Sequence, residues 1–267
     1  MPMAHPPSLC KDYPVSVPEI IRIPILPFNM VNAHLIKKDK GAILVDTGIP
    51  GSEKKIERVL RQHQLTFKDI ELIIVTHAHT DHAGSAARIR ERSGAPILAH
   101  KDDVDYYTRK VPMSYCTTSW VGKLFVKTPV PHEPYEAFEP DILLENAETM
   151  SLSDFGVEGV IRHTAGHTPG SIAVELTSED VLVGDLVASG ILIGGIAFTG
   201  HAIRPPFEDD PQTVSQELQR LVGSGFKRFH MGHGGPLGAD EVMRHAESLR
   251  SLAAGRPVRG RLGHPVP

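Results

Sequence analysis

The sequence is poor in cysteine, with only Cys10 and Cys116 among its 267 residues, and the two are far apart. A disulfide framework is therefore unsupported, and a reducing compartment, the cytoplasm, fits this composition. The N-terminal residues have neither a basic start nor an apolar core, so no signal peptide is expected. Because no apolar run reaches about 18 residues, no membrane-spanning helix is expected either.

The sequence also lacks a strong excess of either charge. Its 28 basic and 32 acidic side chains leave a formal net charge of −4, and no long run of one sign occurs. Partners recognised by general electrostatics, such as nucleic acids or anionic membranes, are therefore not expected. We expect a small-molecule substrate as the partner, and a homo-oligomer is left open. The length and the 40% hydrophobic content suffice for a substantial core without disulfides or a structural metal.

Histidine, in contrast, is abundant, with 15 copies. Three of them and one carboxylate lie in the six residues His77-Ala78-His79-Thr80-Asp81-His82, directly after the apolar run 72–75, which predicts a buried strand. Imidazole is a ligand that suits zinc, and carboxylate suits harder cations. This spacing on a loop that leaves a strand predicts a metal site rather than a set of ordinary packed histidines.

The same arrangement recurs at three later places, where a predicted strand ends beside a glycine and a metal-ligating side chain. These places are His167 after Gly166, Asp185 after Gly184, and His233 after Gly232. Glycine allows the tight turn from strand to loop, and α/β proteins usually place their sites on such loops. Five histidines and two carboxylates can hold two divalent ions about 3.5–4 Å apart.

With Asp46 in the segment Val45-Asp46-Thr47-Gly48, these motifs resemble the metallo-β-lactamase-fold hydrolase superfamily over roughly residues 20–250. The resemblance implies an α/β (α+β) fold, a four-layer αββα sandwich of two mixed sheets with helices outside and metals at one edge. It also implies that Asp46 supports the histidine loop without binding metal. The implied ligands are His77, His79 and His167 for a first metal, Asp81, His82 and His233 for a second, and Asp185 bridging both.

One domain of this kind is predicted over residues 20–254, between an irregular lead-in at 1–19 and a loose tail at 255–267. Within it, residues 101–140 differ from their surroundings, because they contain four of the five tyrosines and Trp120, the only tryptophan. Long segments between regular elements often form lids or substrate-binding loops. The alternative, a surface elaboration with a small core of its own, is left open.

Local patterns predict several elements. A glycine-containing loop between 32–36 and 42–45 predicts a β-hairpin. A helix is expected over Ala83–Arg92, ending at Ser93-Gly94. Asp210-Pro211 is typical of a helix start, with the aspartate as N-cap and the proline in the first turn.

The first functional hypothesis is a dinuclear zinc hydrolase, with iron or manganese left open as the metal. Two metals would turn a bridging water into hydroxide near neutral pH and polarise the carbonyl of an ester, lactone, thioester or amide. Asp81 would orient the hydroxide and pass a proton to the leaving group. The expected substrate is a small, fairly apolar molecule, with residues 101–140 shaping its pocket.

Departures from better-known members of the superfamily narrow this hypothesis. A dedicated β-lactamase role is not favoured. One class of true β-lactamases has a cysteine at the position that corresponds to Asp185, and another class lacks this ligand. An acyl-homoserine lactonase would usually carry a tyrosine near Ala188-Ser189. The roughly thirty residues after His233 are too few for the C-terminal region of hydroxyacylglutathione hydrolases.

Three other functions are kept as alternatives. One is a mononuclear iron persulfide dioxygenase, which would use His77, His167 and Asp185 and leave the other ligands idle. A weaker one is hydrolysis of β-lactams or phosphodiesters. The last is a metal-stabilised sensor without catalysis, which the full ligand set argues against. Among the other histidines, His163 and His230 are expected to be ordinary strand residues.

Overall fold

The computed structural model describes residues 18–146 and 149–253, and it confirms the predicted sandwich of two mixed sheets with helices outside. The predicted loose tail and nearly all of the predicted lead-in lie outside the described residues. The first strand begins at Glu19, the last residue of the predicted lead-in. Among the described residues, no helix is both long and apolar enough to cross a membrane.

The first sheet has six strands in sequence order along the sheet. The first three strands are antiparallel neighbours, and the last three each run parallel to the strand before. The predicted hairpin is the pair β2–β3, with His34 opposite Val45 and Lys37 opposite Ala42. The strands are β1 (Glu19–Pro24), β2 (Asn32–Lys37), β3 (Ala42–Val45), β4 (Ile70–Ile74), β5 (Ile97–His100) and β6 (Ile142–Leu144).

The second sheet also has six strands, in the order β14-β13-β10-β9-β8-β7. All of its neighbours are antiparallel except β10 and β13, which are parallel. Two further strands, β11 and β12, form a small antiparallel pair. The strands are β7 (Thr149–Ser151), β8 (Gly159–His163), β9 (Ile172–Leu176), β10 (Asp180–Leu182), β11 (Ala188–Ser189), β12 (Ala202–Ile203), β13 (Arg228–His230) and β14 (Leu237–Gly238).

Helices cover the outer face of each sheet. The first group packs on the first sheet through side chains such as Ile56 and Ile89, and the last two helices pack on the second sheet through Val214 and Leu249. The helices are α1 (Glu53–Gln62), α2 (Thr80–Ala83), α3 (Ala86–Ser93), α4 (Val104–Tyr107), α5 (Trp120–Phe125), α6 (Ile191–Gly194), α7 (Pro211–Gly223) and α8 (Ala239–Ala253). The predicted start of α7 is confirmed, since the Asp210 carboxylate accepts hydrogen bonds from the first free backbone N–H groups of the helix.

The central strands are apolar on both faces because they are buried on both faces. In β2 and β3, Ile36 and Ile43 pack between the two sheets. Their neighbours Leu35 and Leu44 point the other way, into the core beneath the helices. Successive side chains of a strand alternate between faces, so one short apolar run serves two cores.

The helix predicted over residues 83–92 is wrong in one respect, because the structure has two helices, α2 and α3, separated at Gly84-Ser85. A Cβ atom on Gly84 would lie 2.4 Å from the Thr80 carbonyl oxygen and 2.6 Å from that of Gly48. The Ser85 hydroxyl donates to the Ile49 carbonyl at 2.8 Å. This close approach docks the end of the histidine loop onto the loop after β3, which a continuous helix would prevent.

Residues 101–140 form an anchored segment with two short helices, α4 and α5. Near the two termini of the segment, Tyr107, Tyr135 and Phe138 are buried in the core beneath the first sheet. In its middle, the Thr118 N–H donates to the Pro206 carbonyl at 2.9 Å. The segment therefore packs into the core near its termini, and its middle is held against the residues that follow β12.

Candidate metal centre

The seven predicted ligands lie together at one edge of the sandwich. Each lies after the end of a strand: His77 and His79 are on the loop after β4, Asp81 and His82 are in α2 directly after that loop, His167 follows β8, Asp185 follows β10, and His233 follows β13. Six of the seven are buried, and Asp81 is partly exposed, with 27% of its side chain accessible. The fold therefore collects side chains that are up to 156 positions apart in the sequence, as positions 77 and 233 show.

Three imidazole nitrogens form a nearly equilateral triangle. His167 Nε2 lies 3.2 Å from His77 Nε2 and 3.1 Å from His79 Nδ1, and the last two atoms are 3.1 Å apart. A zinc ion that binds nitrogens at 2.0–2.1 Å in tetrahedral geometry keeps them about 3.3 Å apart. The triangle therefore has the size of one face of a zinc coordination tetrahedron.

A second group of donors lies beside the first. His82 Nε2 and Asp185 Oδ1 are 3.4 Å apart, and among the described residues neither buried atom has a hydrogen-bond partner. His233 Nε2 lies 2.9 Å from Asp185 Oδ2 and 3.4 Å from Asp81 Oδ2. Buried polar atoms without partners are costly, so two that face each other across 3.4 Å indicate a place for a cation.

Asp185 faces both groups. Its Oδ2 lies 3.8 Å from His167 Nε2, in the first group, as well as close to His233 in the second. Burial alone would raise the pKa of Asp185, but the neighbouring His233 and His82 hold it well below its usual range. The carboxylate is therefore ionised, which is the state that a bridging ligand requires.

The first group stays neutral without a metal. Burial lowers the pKa of His79 to about 4, and it also holds the pKa values of His77 and His167 well below their usual range. For His82, burial lowers the pKa, but the surrounding carboxylates of Asp185, Asp46 and Asp81 together raise it well above its ordinary value. Neutral imidazoles and a nearby cluster of carboxylates are what a divalent cation binds.

Asp46 makes the contacts that a supporting role requires. Its Oδ2 accepts hydrogen bonds from His82 Nδ1 at 2.8 Å and from the Thr76 hydroxyl at 3.0 Å, and its Oδ1 accepts from the Thr76 N–H at 2.8 Å. The Thr76 oxygen in turn lies 3.0 Å from His77 Nδ1. Both histidines therefore carry a proton on Nδ1 and turn Nε2 towards the centre, where its lone pair would bind a metal.

Two supporting residues were not anticipated by the sequence analysis. Buried Asp103 accepts hydrogen bonds from the Ala78 N–H at 3.0 Å, the Thr168 hydroxyl at 2.9 Å and the Gly170 N–H at 2.8 Å. It thus ties the histidine loop to the His167 loop. Asn32, at the start of β2, donates its side-chain amide to the Gly234 carbonyl at 3.1 Å beside His233.

Replacing Asp103 by alanine is expected to lower the free energy of unfolding by about 3 kcal/mol, because two backbone N–H groups and a hydroxyl lose their acceptor. Urea unfolding of the wild type and the variant at neutral pH measures this. Asp102→Ala is the matched control, since Asp102 is an exposed neighbour of the same charge. A loss no larger than that of the control would show that Asp103 does not hold the two loops together.

A cavity of about 270 Å³ opens onto the centre. Its floor contains His79, Asp81, His167, Asp185 and His233, and its walls are mainly apolar. The apolar lining residues are Leu26, Met30, Val31, Ile49, Tyr115, Phe125, Val130, Pro131, Pro206 and Phe207. Residues 101–140 contribute Tyr115, whose ring stacks on His79 with centroids 5.3 Å apart. The segment thus both forms a wall of the cavity and packs as a structural elaboration.

A third grouping of possible ligands, His100, Asp102 and His163, does not have the geometry of a metal site. The two imidazole rings are stacked 3.7 Å apart at an angle of 11°. An imidazole lone pair lies in the plane of its ring, so two nearly parallel rings at this separation cannot both point at one ion. His163 Nε2 instead donates to the Pro169 carbonyl at 2.7 Å. His230 lies in β13 as expected and contacts Asp180.

Comparison with known proteins gives the family. The family model described as the metallo-beta-lactamase superfamily matches residues 26–233. A metal-dependent hydrolase of Thermococcus kodakarensis is 37% identical over 220 residues, which cover 72% of this chain and 88% of that protein. A hydroxyacylglutathione hydrolase of Haemophilus influenzae is 27% identical over 171 residues, covering 63% of this chain and 71% of that protein.

A solved structure shows the same fold. A metallo-beta-lactamase family protein of Thermus thermophilus superposes with a TM-score of 0.63 at 20% identity, covering 88% of this chain and 79% of that one. This likeness concerns the fold alone. The family model, which spans most of the chain, and the relative at 37% identity carry the assignment. The chain belongs to the metallo-beta-lactamase superfamily.

Proposed function

We propose that this metal-dependent hydrolase holds two zinc ions and cleaves an ester, lactone, thioester or amide bond of a small molecule. The observation that carries the proposal is the position of Asp185, whose carboxylate faces a complete nitrogen triangle on one side and His82 and His233 on the other. A single ion would use only part of this donor set.

The donor set fits zinc. Imidazole and carboxylate are common zinc ligands, and His77, His79 and His167 supply three nitrogens at tetrahedral spacing. The unpartnered Nε2 of His82 and Oδ1 of Asp185 supply donors that a cation would satisfy. In this proposal His77, His79 and His167 would hold the first zinc, Asp81, His82 and His233 would hold the second, and Asp185 would be shared between them.

When bound, the pair of zinc ions would supply a hydroxide near neutral pH and a Lewis acid for the carbonyl oxygen of the substrate. Asp81 is the ligand best placed for proton transfer, because it is the partly exposed carboxylate that lines the cavity. We propose that it accepts the proton of the attacking water and delivers it to the leaving group. Asp46 holds the imidazole rings of His82 and, through Thr76, His77 in one orientation throughout.

The cavity supports an apolar substrate around the bond that is cleaved. Phe207, Phe125 and Val130 lie in its walls, and burial of an apolar group against such walls contributes about 25 cal/mol per Å² of surface removed from water. The relative named as a hydroxyacylglutathione hydrolase supports a thioester as one member of the substrate class. The proposal therefore extends over carboxylic acid derivatives and leaves the leaving group open.

The persulfide dioxygenase hypothesis needs His77, His167 and Asp185 alone. The second group of donors is also assembled, with 3.4 Å between His233 Nε2 and Asp81 Oδ2, and Asp185 lies nearer to His233, at 2.9 Å, than to His167, at 3.8 Å. This geometry supports two metals and a hydrolase.

Metal content and turnover test the proposal together. Protein purified without added metal is stripped with a chelator and then reconstituted separately with zinc, iron and manganese. We expect two zinc per chain by elemental analysis, and hydrolysis of at least one member of a panel of lactones, thioesters, β-lactams and phosphodiesters. Turnover should vanish on chelation and return with zinc.

The control for metal content is His201→Ala, which removes an exposed histidine that is outside the cavity lining. It should retain two zinc. One iron per chain, together with oxygen consumption in the presence of a persulfide, would instead support the dioxygenase hypothesis. Metal binding without turnover of any of these substrates would support the hypothesis of a sensor without catalysis.

A further inference from the structure

A second and larger cavity lies next to the metal-site cavity. It has a volume of about 470 Å³ and shares four lining residues with the first, namely Thr80, Tyr115, Pro131 and Glu133. The two spaces therefore adjoin along these four residues. The Tyr115 hydroxyl donates a hydrogen bond to the Pro131 carbonyl, which joins two parts of this shared wall.

The second cavity is lined by two cationic side chains and by one carboxylate, that of Glu133. Arg109 and Lys110 both line it. Lys110 is paired with Asp105, with 3.7 Å between Nζ and Oδ1. Within the part of the chain that the structure describes, no carboxylate lies within 4.0 Å of the Arg109 guanidinium. A guanidinium without a carboxylate partner is a planar donor suited to a carboxylate or a phosphate.

Backbone hydrogen bonds hold Arg109 at the cavity. Its φ angle is 58°, in the left-handed region, and its N–H donates to the Tyr106 carbonyl at 3.0 Å. The next N–H, that of Lys110, donates to the Asp105 carbonyl at 2.9 Å. The turn that ends α4 therefore fixes the backbone conformation of Arg109 through these two hydrogen bonds.

Aromatic rings form much of the remaining wall. Tyr106 shares a hydrogen bond of 3.1 Å with the Ser114 hydroxyl, and Tyr135 donates to the Ala78 carbonyl at 3.1 Å. With these hydroxyls engaged, the two tyrosines and Met113 offer mainly apolar surface. The cavity thus combines apolar walls with one available guanidinium, which suits an organic group that ends in a single anion.

We propose that this second cavity binds the anionic end of the substrate, a carboxylate or a phosphate, while the bond to be cleaved lies in the metal-site cavity. The proposal rests on the proposed hydrolytic function and narrows its substrates to anionic esters or thioesters. Arg109 is the residue that selects them.

Matched esters test the proposal. The zinc-loaded enzyme is assayed with para-nitrophenyl butyrate, with the para-nitrophenyl half-ester of glutaric acid, and with the analogue that ends in a phosphonate. We expect a lower KM for an anionic ester than for the neutral one. Arg109→Gln should raise that KM about tenfold, with little change in kcat and no change for the neutral ester. The two anionic esters distinguish a carboxylate from a phosphate preference.

Arg58→Gln is the matched control, because Arg58 is an exposed arginine of α1 that lines neither cavity. It changes the net charge equally and should leave every KM unchanged. Equal KM values of wild type and Arg109→Gln for both anionic esters would overturn the proposal.

A binding measurement separates the two proposals. If none of the esters is hydrolysed, the hydrolytic assignment fails for this substrate class, but the second cavity is still tested by titrating the zinc-loaded protein with glutarate monobutyl ester and with butyl phosphate. Binding of either ligand about tenfold weaker in Arg109→Gln than in Arg58→Gln supports the anion site. Equal binding of both ligands by the two variants overturns it.

Discussion

Alanine in place of His79 or Asp81 is expected to lower kcat/KM by about a thousandfold or more, while the fold remains largely intact. His79 supplies one corner of the nitrogen triangle, and its removal leaves His77 and His167 alone at 3.2 Å. Asp81 lies at the floor of the cavity, 3.4 Å from His233 Nε2, and carries the proposed proton transfer. Steady-state kinetics on the best substrate of the panel measures the loss.

Circular dichroism and thermal unfolding accompany these assays, so that loss of turnover can be distinguished from loss of fold. We expect far-ultraviolet spectra like that of the wild type, since His79 lies on the loop after β4, Asp81 lies in the short helix α2, and neither belongs to a hydrophobic core. His201→Ala is the control, because His201 is an exposed histidine that lines neither cavity. Hydrolysis at a wild-type rate by either variant would exclude the two-metal mechanism.

Gly232→Ala is expected to have the second largest effect, a loss of about a hundredfold or more in turnover together with loss of zinc from the second group of donors. A Cβ atom at this position would lie 2.3 Å from His82 Cε1 and 2.4 Å from Asp185 Oδ1. Neither side chain can easily move away, because His82 is fully buried and bonded to Asp46. The added methyl group therefore forces the Asp185 carboxylate and the His82 imidazole out of their present positions at a cost to both.

Gly238→Ala is the matched control six residues away, since a Cβ there would have no atom within 4 Å. The two variants are compared by zinc content, turnover and melting temperature. Zinc-free Gly232→Ala should melt at a lower temperature than zinc-free Gly238→Ala, because the added methyl group disturbs the buried attraction between His82 and Asp185. Full zinc content and turnover in Gly232→Ala would show that the donors are not packed as closely as the structure indicates.

Much of the fold could be predicted because its signals are local. Apolar runs with loop residues between them predicted the strands β2 to β5, and the Asp210-Pro211 pair predicted the start of α7. The predicted helix 83–92 failed because its break at Gly84 depends on backbone oxygens of Thr80 and Gly48 that pack against it. No pattern within residues 83–92 contains that contact.

The seven candidate ligands were predicted in a similar way, from residue type and position after a strand, with the resemblance to a family dividing them between two metals. The structure brings all seven together, and their role as ligands stays a prediction that the zinc analysis tests. Asp103 and Asn32 were missed because they hold the centre through backbone groups of distant loops. Every residue type except proline has the same backbone N–H and C=O groups, so a hydrogen bond to the backbone does not require a particular residue at the partner position.

By itself, the sequence determined which side chains with metal-binding chemistry follow strands and how the apolar residues divide among the layers, because strand and turn signals act over a few residues. Only the tertiary structure decided that His79 presents Nδ1 while His77 and His167 present Nε2, since ring orientation depends on neighbours such as Thr76. It also decided that Tyr115 and Phe207 enclose an apolar cavity over the centre, and that Arg109 lies in a second one beside it. Cavities form between segments distant in sequence, so their shape and charge exist only once the chain has packed.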